Sequence, residues 1–271
     1  CFATPCLVRG LPVVFNAYEA SDRPIVAGIH GTDLGGGLET ALGCHYRVAL
    51  PSAKVGLPEV KLGLLPGAGG TQRLPRLVGA QKALEMITSG NFVGARDALA
   101  LGIVDAVEGG DDIRQVGLAY ARKLAAEGAP VRRVRDIADK VEADKGSDVF
   151  DQFRAGLAKK ARGRFPPFKG VDAVEAAFTL PFAEGLKRER ELFKECMESP
   201  QRAGLIHSFF AEREVSKVKG LAKDTPVREV KSVGIIGAGT MGGGIAMNFA
   251  NVGIPATIVE VKQDALDRGL A

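Results

Sequence analysis

The stretch from Ile25 to Leu77 constrains the chain most, because it sets two glycine-rich turns beside two glutamates within an otherwise apolar run. Pro24 to His30 carries β-branched Ile25, Val26 and Ile29 and closes at Gly31, the pattern of a short buried strand. Leu34-Gly35-Gly36-Gly37-Leu38-Glu39 then leads into Thr40-Ala41-Leu42. Three glycines therefore stand where a loop becomes a helix, and bare backbone N–H groups there can face a ligand. Such groups make a ready oxyanion donor. Glu39 falls in the first helical turn, where the helix dipole favours a carboxylate close to whatever the N–H groups bind. Taken alone, the triplet also fits a plain glycine turn followed by an ordinary N-terminal glutamate.

The second half of the stretch adds a second acid. Tyr46 to Leu50 reads as a strand and Lys54 to Leu57 as an extended segment. Pro58-Glu59-Val60 sets an acid among apolar neighbours, a poor place for a merely solvated charge. Pro66-Gly67-Ala68-Gly69-Gly70-Thr71 is the second glycine-rich turn, and Gln72 to Val78 has a helical pattern interrupted by Pro75. Two acids, each beside a glycine-rich turn, point to an active site.

The segments IHGTxLGGGLE, GLPEVKLGLLPGAGGTQRLPRLVG, ALEMITSG and ARDALALGIVD together resemble the crotonase superfamily, specifically the enoyl-CoA hydratase/isomerase part of fatty acid β-oxidation multifunctional enzymes. The resemblance runs from about Arg23 to Val107. It implies a thioester site in which the Gly36 N–H stabilises enolate-like charge on an acyl-CoA. In that site Glu39 is the base for attack of water at C3, Glu59 is the acid that delivers a proton to C2, and the Gly67 backbone helps place the water. Two carboxyls in one small site tend not to ionise together, which suits one acid and one base. The alternative is an enoyl-CoA isomerase, with Glu59 shuttling the proton, or another crotonase-type acyl-CoA enzyme; the presence of both acids favours hydration. Asp33 departs from the family, which has a small residue there, and its charge either weakens the site or points outward. The family's second oxyanion N–H comes from an upstream loop that Cys1 to Ala20 do not resemble. The resemblance therefore also carries the expectation of half a site, and a third reading in which the fragment itself is catalytically inactive.

Composition bounds the rest. With 271 residues, 46% of them hydrophobic, two domains with a substantial core are expected. A net charge of +4, with Lys and Arg interspersed among acids, argues against nucleic acid as a partner while suiting the phosphates of CoA. Cys1, Cys6, Cys44 and Cys196 show no metal spacing, so reduced thiols and no metal site are expected. No apolar run approaches the ~20 residues of a membrane span, and the first twenty residues lack the apolar core of a signal peptide. A bacterial-type cytoplasmic location is the expectation, with peroxisome or mitochondrion as alternatives.

Beyond the central stretch, Ala83, Leu84, Met86 and Ile87 give Ala80 to Ser89 one apolar helical face that stops at Gly90. Ala95 to Leu101 reads as a helix, Ile103 to Val107 as a strand and Asp111 to Glu127 as an amphipathic helix. Val131 to Lys169, charged and poor in periodic apolar residues, reads mostly as surface helix and linker. Val171 to Met197 and Gln201 to Lys219 read as two longer helices, with Ser199 capping the second and His207 packed on an apolar face. FAEGLKRERELFKECMESPQRAGLIHSFFAER resembles the connector between the hydratase and dehydrogenase halves of the multifunctional enzymes, which in that family closes over the hydratase part.

Val233 to Ile236 is a buried-strand pattern, and Gly237-Ala238-Gly239-Thr240-Met241-Gly242 follows it as GxGxxG. A helix from Gly243 to Val252 and a second strand, Ala256 to Val259, come next, with Glu260 at the strand's end. In that placing the motif reads as dinucleotide-binding, with Gly237, Gly239, Thr240, Met241 and Gly242 around the pyrophosphate and Glu260 on the ribose 2′-OH, which selects NAD over NADP. It resembles the start of a 3-hydroxyacyl-CoA dehydrogenase domain, without the catalytic His/Glu pair expected further on. The fold expected is α/β: a partial crotonase-like β-β-α spiral over residues 1–128, a helical connector over 129–230, and the first β-α-β unit of a Rossmann domain over 231–271. The resemblance implies hydration of 2-enoyl-CoA and, in a longer parent, NAD-dependent oxidation of 3-hydroxyacyl-CoA. It also implies acyl-CoA thioesters as substrates, and association with a thiolase or a second copy of the chain.

Overall fold

The computed structural model describes residues 5–215, 217–222 and 224–270, the first eight of these by backbone alone. Contacts divide the chain into a first unit up to residue 216 and a second from 217 onward.

The first unit opens with helix α1 (Pro5–Ala20) and then alternates short strands between two small sheets. Strands β1 (Val26–Ile29), β3 (Tyr46–Ala49) and β6 (Ala106–Val107) form one parallel sheet in the order β1-β3-β6. Strands β2 (Thr32–Leu34), β4 (Lys54–Gly56) and β5 (Val93–Gly94) form the other, with β2 and β4 parallel and β5 antiparallel to β4. The first two turns of this spiral each give one strand to each sheet and then a helical segment. Helix α2 (Gly36–Leu42) follows β2, while a 3-10 turn (Pro58–Leu62) and helices α3 (Gly70–Val78) and α4 (Ala80–Ser89) follow β4. Helix α5 (Ala95–Ala100) separates β5 from β6, and α6 (Ile113–Ala126) comes after β6. All four residues of β3 are buried, as befits the middle strand of a sheet covered on both faces.

Four of the helical segments then wrap the spiral: α7 (Asp139–Asp144), α8 (Val149–Lys160), α9 (Pro166–Thr179) and α10 (Phe182–Glu198). Helix α9 packs against α3, α4, α8 and α10, and α11 (Pro200–Val215) reaches the 3-10 turn. The core joins Leu38, Leu42, Leu57 and Leu74 of the spiral to Leu84 and Ile87 of α4. Each such side chain contributes roughly 1.5–3 kcal/mol by leaving water.

Several expectations change here. Val131 to Lys169 is more than surface and linker: Val134, Val141, Phe150 and Leu157 are buried. Val134 and Val141 are single anchors on short segments, while Phe150, Phe153 and Leu157 repeat at helical spacing along α8. The span from Val171 to Met197 is two helices, broken at Leu180-Pro181, where proline's fixed φ starts a new helix. Of Ile103 to Val107, Ala106–Val107 alone forms strand, although Ile103 and Val104 are buried. His207 is exposed, not packed. Ser199 does cap α11, its Oγ accepting the Gln201 N–H at 3.1 Å.

The second unit is a β-α-β-α segment: β7 (Val233–Ile236), α12 (Thr240–Asn251), β8 (Ala256–Val259) and α13 (Gln263–Leu270). Strands β7 and β8 pair in parallel from Val233 opposite Ala256 to Ile236 opposite Val259. None of the described helices is long and apolar enough to cross a membrane.

Candidate active site

The two glycine-rich turns meet through Glu39. Gly35, at φ +58° and ψ −126°, has a backbone that favours glycine; its N–H donates to the Gly56 carbonyl at 2.9 Å and its carbonyl accepts the Glu39 N–H at 2.9 Å. That local geometry turns the chain from β2 into α2 and points Glu39 inward, where it is 4% exposed. Its Oε1 accepts the Ala68 N–H at 2.8 Å and the Gly70 N–H at 2.9 Å, both from the second turn. Burial pushes the Glu39 carboxyl up, while those two N–H groups and the Arg73 cation pull it down.

Glu59 sits in the 3-10 turn with its carboxylate against the first glycine of the triplet: a Cβ built on Gly35 would lie 2.9 Å from Glu59 Oε1. Its Oε2 is buried without a hydrogen-bond partner in the described structure. Burial raises the Glu59 carboxyl to about 8, and the charges of Glu39 and Glu189 add to the shift. The two acids therefore differ in kind. Glu39 has donors that favour its ionised form, whereas the undonated Glu59 oxygen favours a proton.

Gly36 is exposed, and a Cβ built there would meet no atom within 4 Å. Gly67 is enclosed: a Cβ there would fall into the Phe193 ring, 2.8 Å from Cε2. Asp33 is half-buried, its Oδ1 lying against the exposed Gly37 of the triplet, and burial raises its carboxyl.

A third acid joins the cluster that the sequence did not reveal. Glu189 of α10 is 1% exposed and accepts the Gly69 N–H at 2.7 Å, the Thr71 N–H at 3.1 Å and the Thr71 hydroxyl at 2.6 Å. In the string Lys187-Arg188-Glu189-Arg190-Glu191 it looks like one more solvated charge. Its position four residues before buried Phe193, on one helical face, was the available signal. Among the described residues no group of His, Cys, Asp and Glu is arranged to hold a metal ion.

In the second unit Gly237 has φ +100°, and Gly242 has no room for a side chain against the Gly237 carbonyl, while Gly239 has open space around it. Thr240 and Met241 open α12 directly after that loop. Glu260 Oε2 accepts the Ala238 N–H at 2.9 Å, and its Oε1 accepts the Val261 N–H at 2.8 Å. These N–H groups hold the Glu260 carboxyl below the usual range.

Comparison with known proteins follows the same division. A family model described as enoyl-CoA hydratase/isomerase matches residues 13–155, more than half of the 271 and wider on both sides than Arg23 to Val107. One described as 3-hydroxyacyl-CoA dehydrogenase, NAD binding domain, matches residues 232–271. A peroxisomal bifunctional enzyme of Danio rerio is 44% identical over 275 residues, which covers 99% of this chain and 38% of that protein. The fatty acid oxidation complex subunit alpha of Shewanella sp. (strain MR-4) is 40% identical over 265 residues, covering 96% and 37% respectively. The chain thus spans well under half the length of these curated relatives. Among solved structures, an enoyl-CoA hydratase from Bacillus anthracis is 25% identical, covering 76% of this chain and 66% of that one, at a TM-score of 0.42.

Proposed function

The chain belongs to the enoyl-CoA hydratase/isomerase family, and from that premise we propose that its first unit hydrates 2-enoyl-CoA thioesters to 3-hydroxyacyl-CoA. The observation that carries the reading is the contrast between the acids: Glu39 Oε1 holds two backbone N–H donors, while Glu59 has a buried oxygen with none. In this reading Glu39 is the base. It takes a proton from water as the water oxygen attacks C3, and burial raises its basicity toward the working pH. Electron density moves to the thioester oxygen, where the exposed Gly36 N–H stabilises it. Glu59, raised to about 8 and so protonated at neutral pH, delivers its proton to C2. Gly67 helps to place the water. Residues 1–128 form the hydratase part in this reading, 129–230 the connector and 231–271 the start of a dehydrogenase.

The second unit supports the fuller reading, in which a longer parent also oxidises the 3-hydroxyacyl-CoA. Its loop fits a dinucleotide: Gly242 leaves the helix against the Gly237 carbonyl, and Gly239 leaves space for a close approach. Gly237, Gly239, Thr240, Met241 and Gly242 would hold the pyrophosphate of NAD, and Glu260 a ribose hydroxyl. When bound, NAD supplies the hydride acceptor. The relatives' names, one a bifunctional enzyme and one a subunit alpha of a complex, support fatty acid β-oxidation and association with a further subunit such as a thiolase.

The test is loss of the conjugated enoyl-thioester absorbance of a short 2-enoyl-CoA, with Glu39→Gln and Glu59→Gln beside the wild type. Each variant is expected to lose about 10²–10⁴-fold in kcat with its fold intact. A folded wild type that leaves the substrate unchanged, or full activity in both variants, would overturn the assignment.

A further inference from the structure

The connector helices touch the site at two places beyond Glu59. After it, a Cβ on Gly63 would lie 2.6 Å from the Arg202 Cα of α11. At the second turn, the Phe193 ring lies over Gly67, and Glu189 takes both the N–H and the hydroxyl of Thr71 as well as the Gly69 N–H. The donors to Glu39 and to Glu189 alternate along the turn: Ala68 and Gly70 point to Glu39, Gly69 and Thr71 to Glu189. One four-residue stretch thus gives alternate N–H groups to two buried carboxylates. If either acid lets go, the turn loses the restraint that aims its other N–H groups.

Resting on the hydratase reading above, we propose that Glu189 is a positioning residue for hydration: it clamps Gly69 and Thr71 so that the Ala68 and Gly70 N–H groups stay on the base Glu39. The α10 segment is in that case a working wall of the site. Other charged groups lie on the elements packed around it. Glu39 comes from α2 and Glu59 from the 3-10 turn, and both are electrostatically linked to Glu189. Helix α3 presents the Thr71 hydroxyl, and its Arg73 cation acts on Glu39. Helix α9 presents Lys169, paired with Glu195 farther along α10, and α11 presents Arg202 beside Gly63.

Glu189→Gln keeps the size of the side chain but cannot accept from all of its donors, so one backbone N–H is left facing an amide N–H₂. The experiment measures kcat, KM and the pH profile for a short 2-enoyl-CoA, using the whole polypeptide the gene encodes, with thermal unfolding to show that each variant is folded. Glu189→Gln is expected to lower kcat about 10- to 100-fold with KM within about threefold, because the base is misaimed while the substrate is still bound. Its alkaline limb is expected to move to lower pH by about 0.5 unit or more, since a charge that helps Glu59 hold its proton is gone. Glu189→Asp is expected to return the limb to its wild-type position, and Glu191→Gln, on the exposed face of the same helix, to match wild type throughout. Wild-type kcat and an unmoved limb in a folded Glu189→Gln would overturn the proposal while leaving the hydratase reading standing. A folded wild type without hydratase activity would overturn that reading instead; amide exchange at Gly69 and Thr71 then decides the clamp, faster exchange in Glu189→Gln supporting it and unchanged exchange overturning it.

Discussion

The two glycine-rich turns look alike in sequence and are held in different ways. The first, Gly35-Gly36-Gly37, is closed by its own neighbours: Gly35 bonds Gly56 and Glu39, and Gly36 opens onto solvent. The second, Pro66 to Thr71, is buried throughout and held by side chains distant in sequence, Glu39 on one side and Glu189 with Phe193 on the other. An exposed turn that depends on backbone conformation is free to receive a ligand. A buried one that depends on distant side chains aims groups within the protein. The difference teaches that a glycine has several distinct uses, and that the neighbour its absent Cβ would strike tells which one applies.

The comparison is sharpened most by pH. Glu59, with its undonated oxygen, holds its proton to about 8 in the folded chain, against an ordinary carboxyl value of 4.5, whereas the three donors to Glu189 favour its ionised form. Between those limits the unfolded chain binds fewer protons at Glu59 than the folded one, so its stabilising contribution is full below about 4.5 and is lost as pH rises through about 8. The melting temperature of the first unit should fall from pH 5 to pH 8, on the order of 5 °C, and Glu59→Gln should flatten that slope. A flat wild-type profile would mean that Glu59 does not hold its proton in the folded chain.

Alanine at the two turns tests the steric side. Gly67→Ala drives a methyl into the Phe193 ring and should cost about 1–3 kcal/mol in chemical denaturation. Pairing it with Phe193→Leu should recover part of that loss, a non-additive result that isolates the contact. Gly35→Ala puts a side chain at φ +58° against Glu59 Oε1, and a loss of about 1–2 kcal/mol is expected. Gly36→Ala, with open space and an ordinary helical backbone, should leave stability unchanged or raise it by about 0.5–1 kcal/mol while lowering kcat/KM for the enoyl thioester. Equal losses at Gly36 and Gly67 would erase the distinction between the turns.

Where the sequence was legible, the determinants were local. The strand before Gly31, the turn at Gly35 and the helix bearing Glu39 all follow from residues within a few positions of one another, and so does the β-α-β segment around Gly237. Glu59 stood out for the same reason, as an acid among apolar neighbours. Glu189 did not, since the groups it binds lie 118–120 residues away and its neighbours in sequence are Lys, Arg and Glu. Val141 was missed as a single anchor on a short segment, whereas Phe150 and Leu157 were legible, since with Phe153 they repeat at helical spacing on one face of α8.

By itself, then, the sequence determined the elements around the two glycine-rich turns and the GxGxxG loop, the family resemblance and the two glutamates, because backbone conformation and apolar periodicity are properties of near neighbours. Tertiary structure alone decided which donors each acid receives, the placing of Asp33 against Gly37, and the sealing of the second turn by α10. Those depend on desolvation and on hydrogen bonds between residues far apart in the chain, and both exist only once the helices have wrapped the spiral.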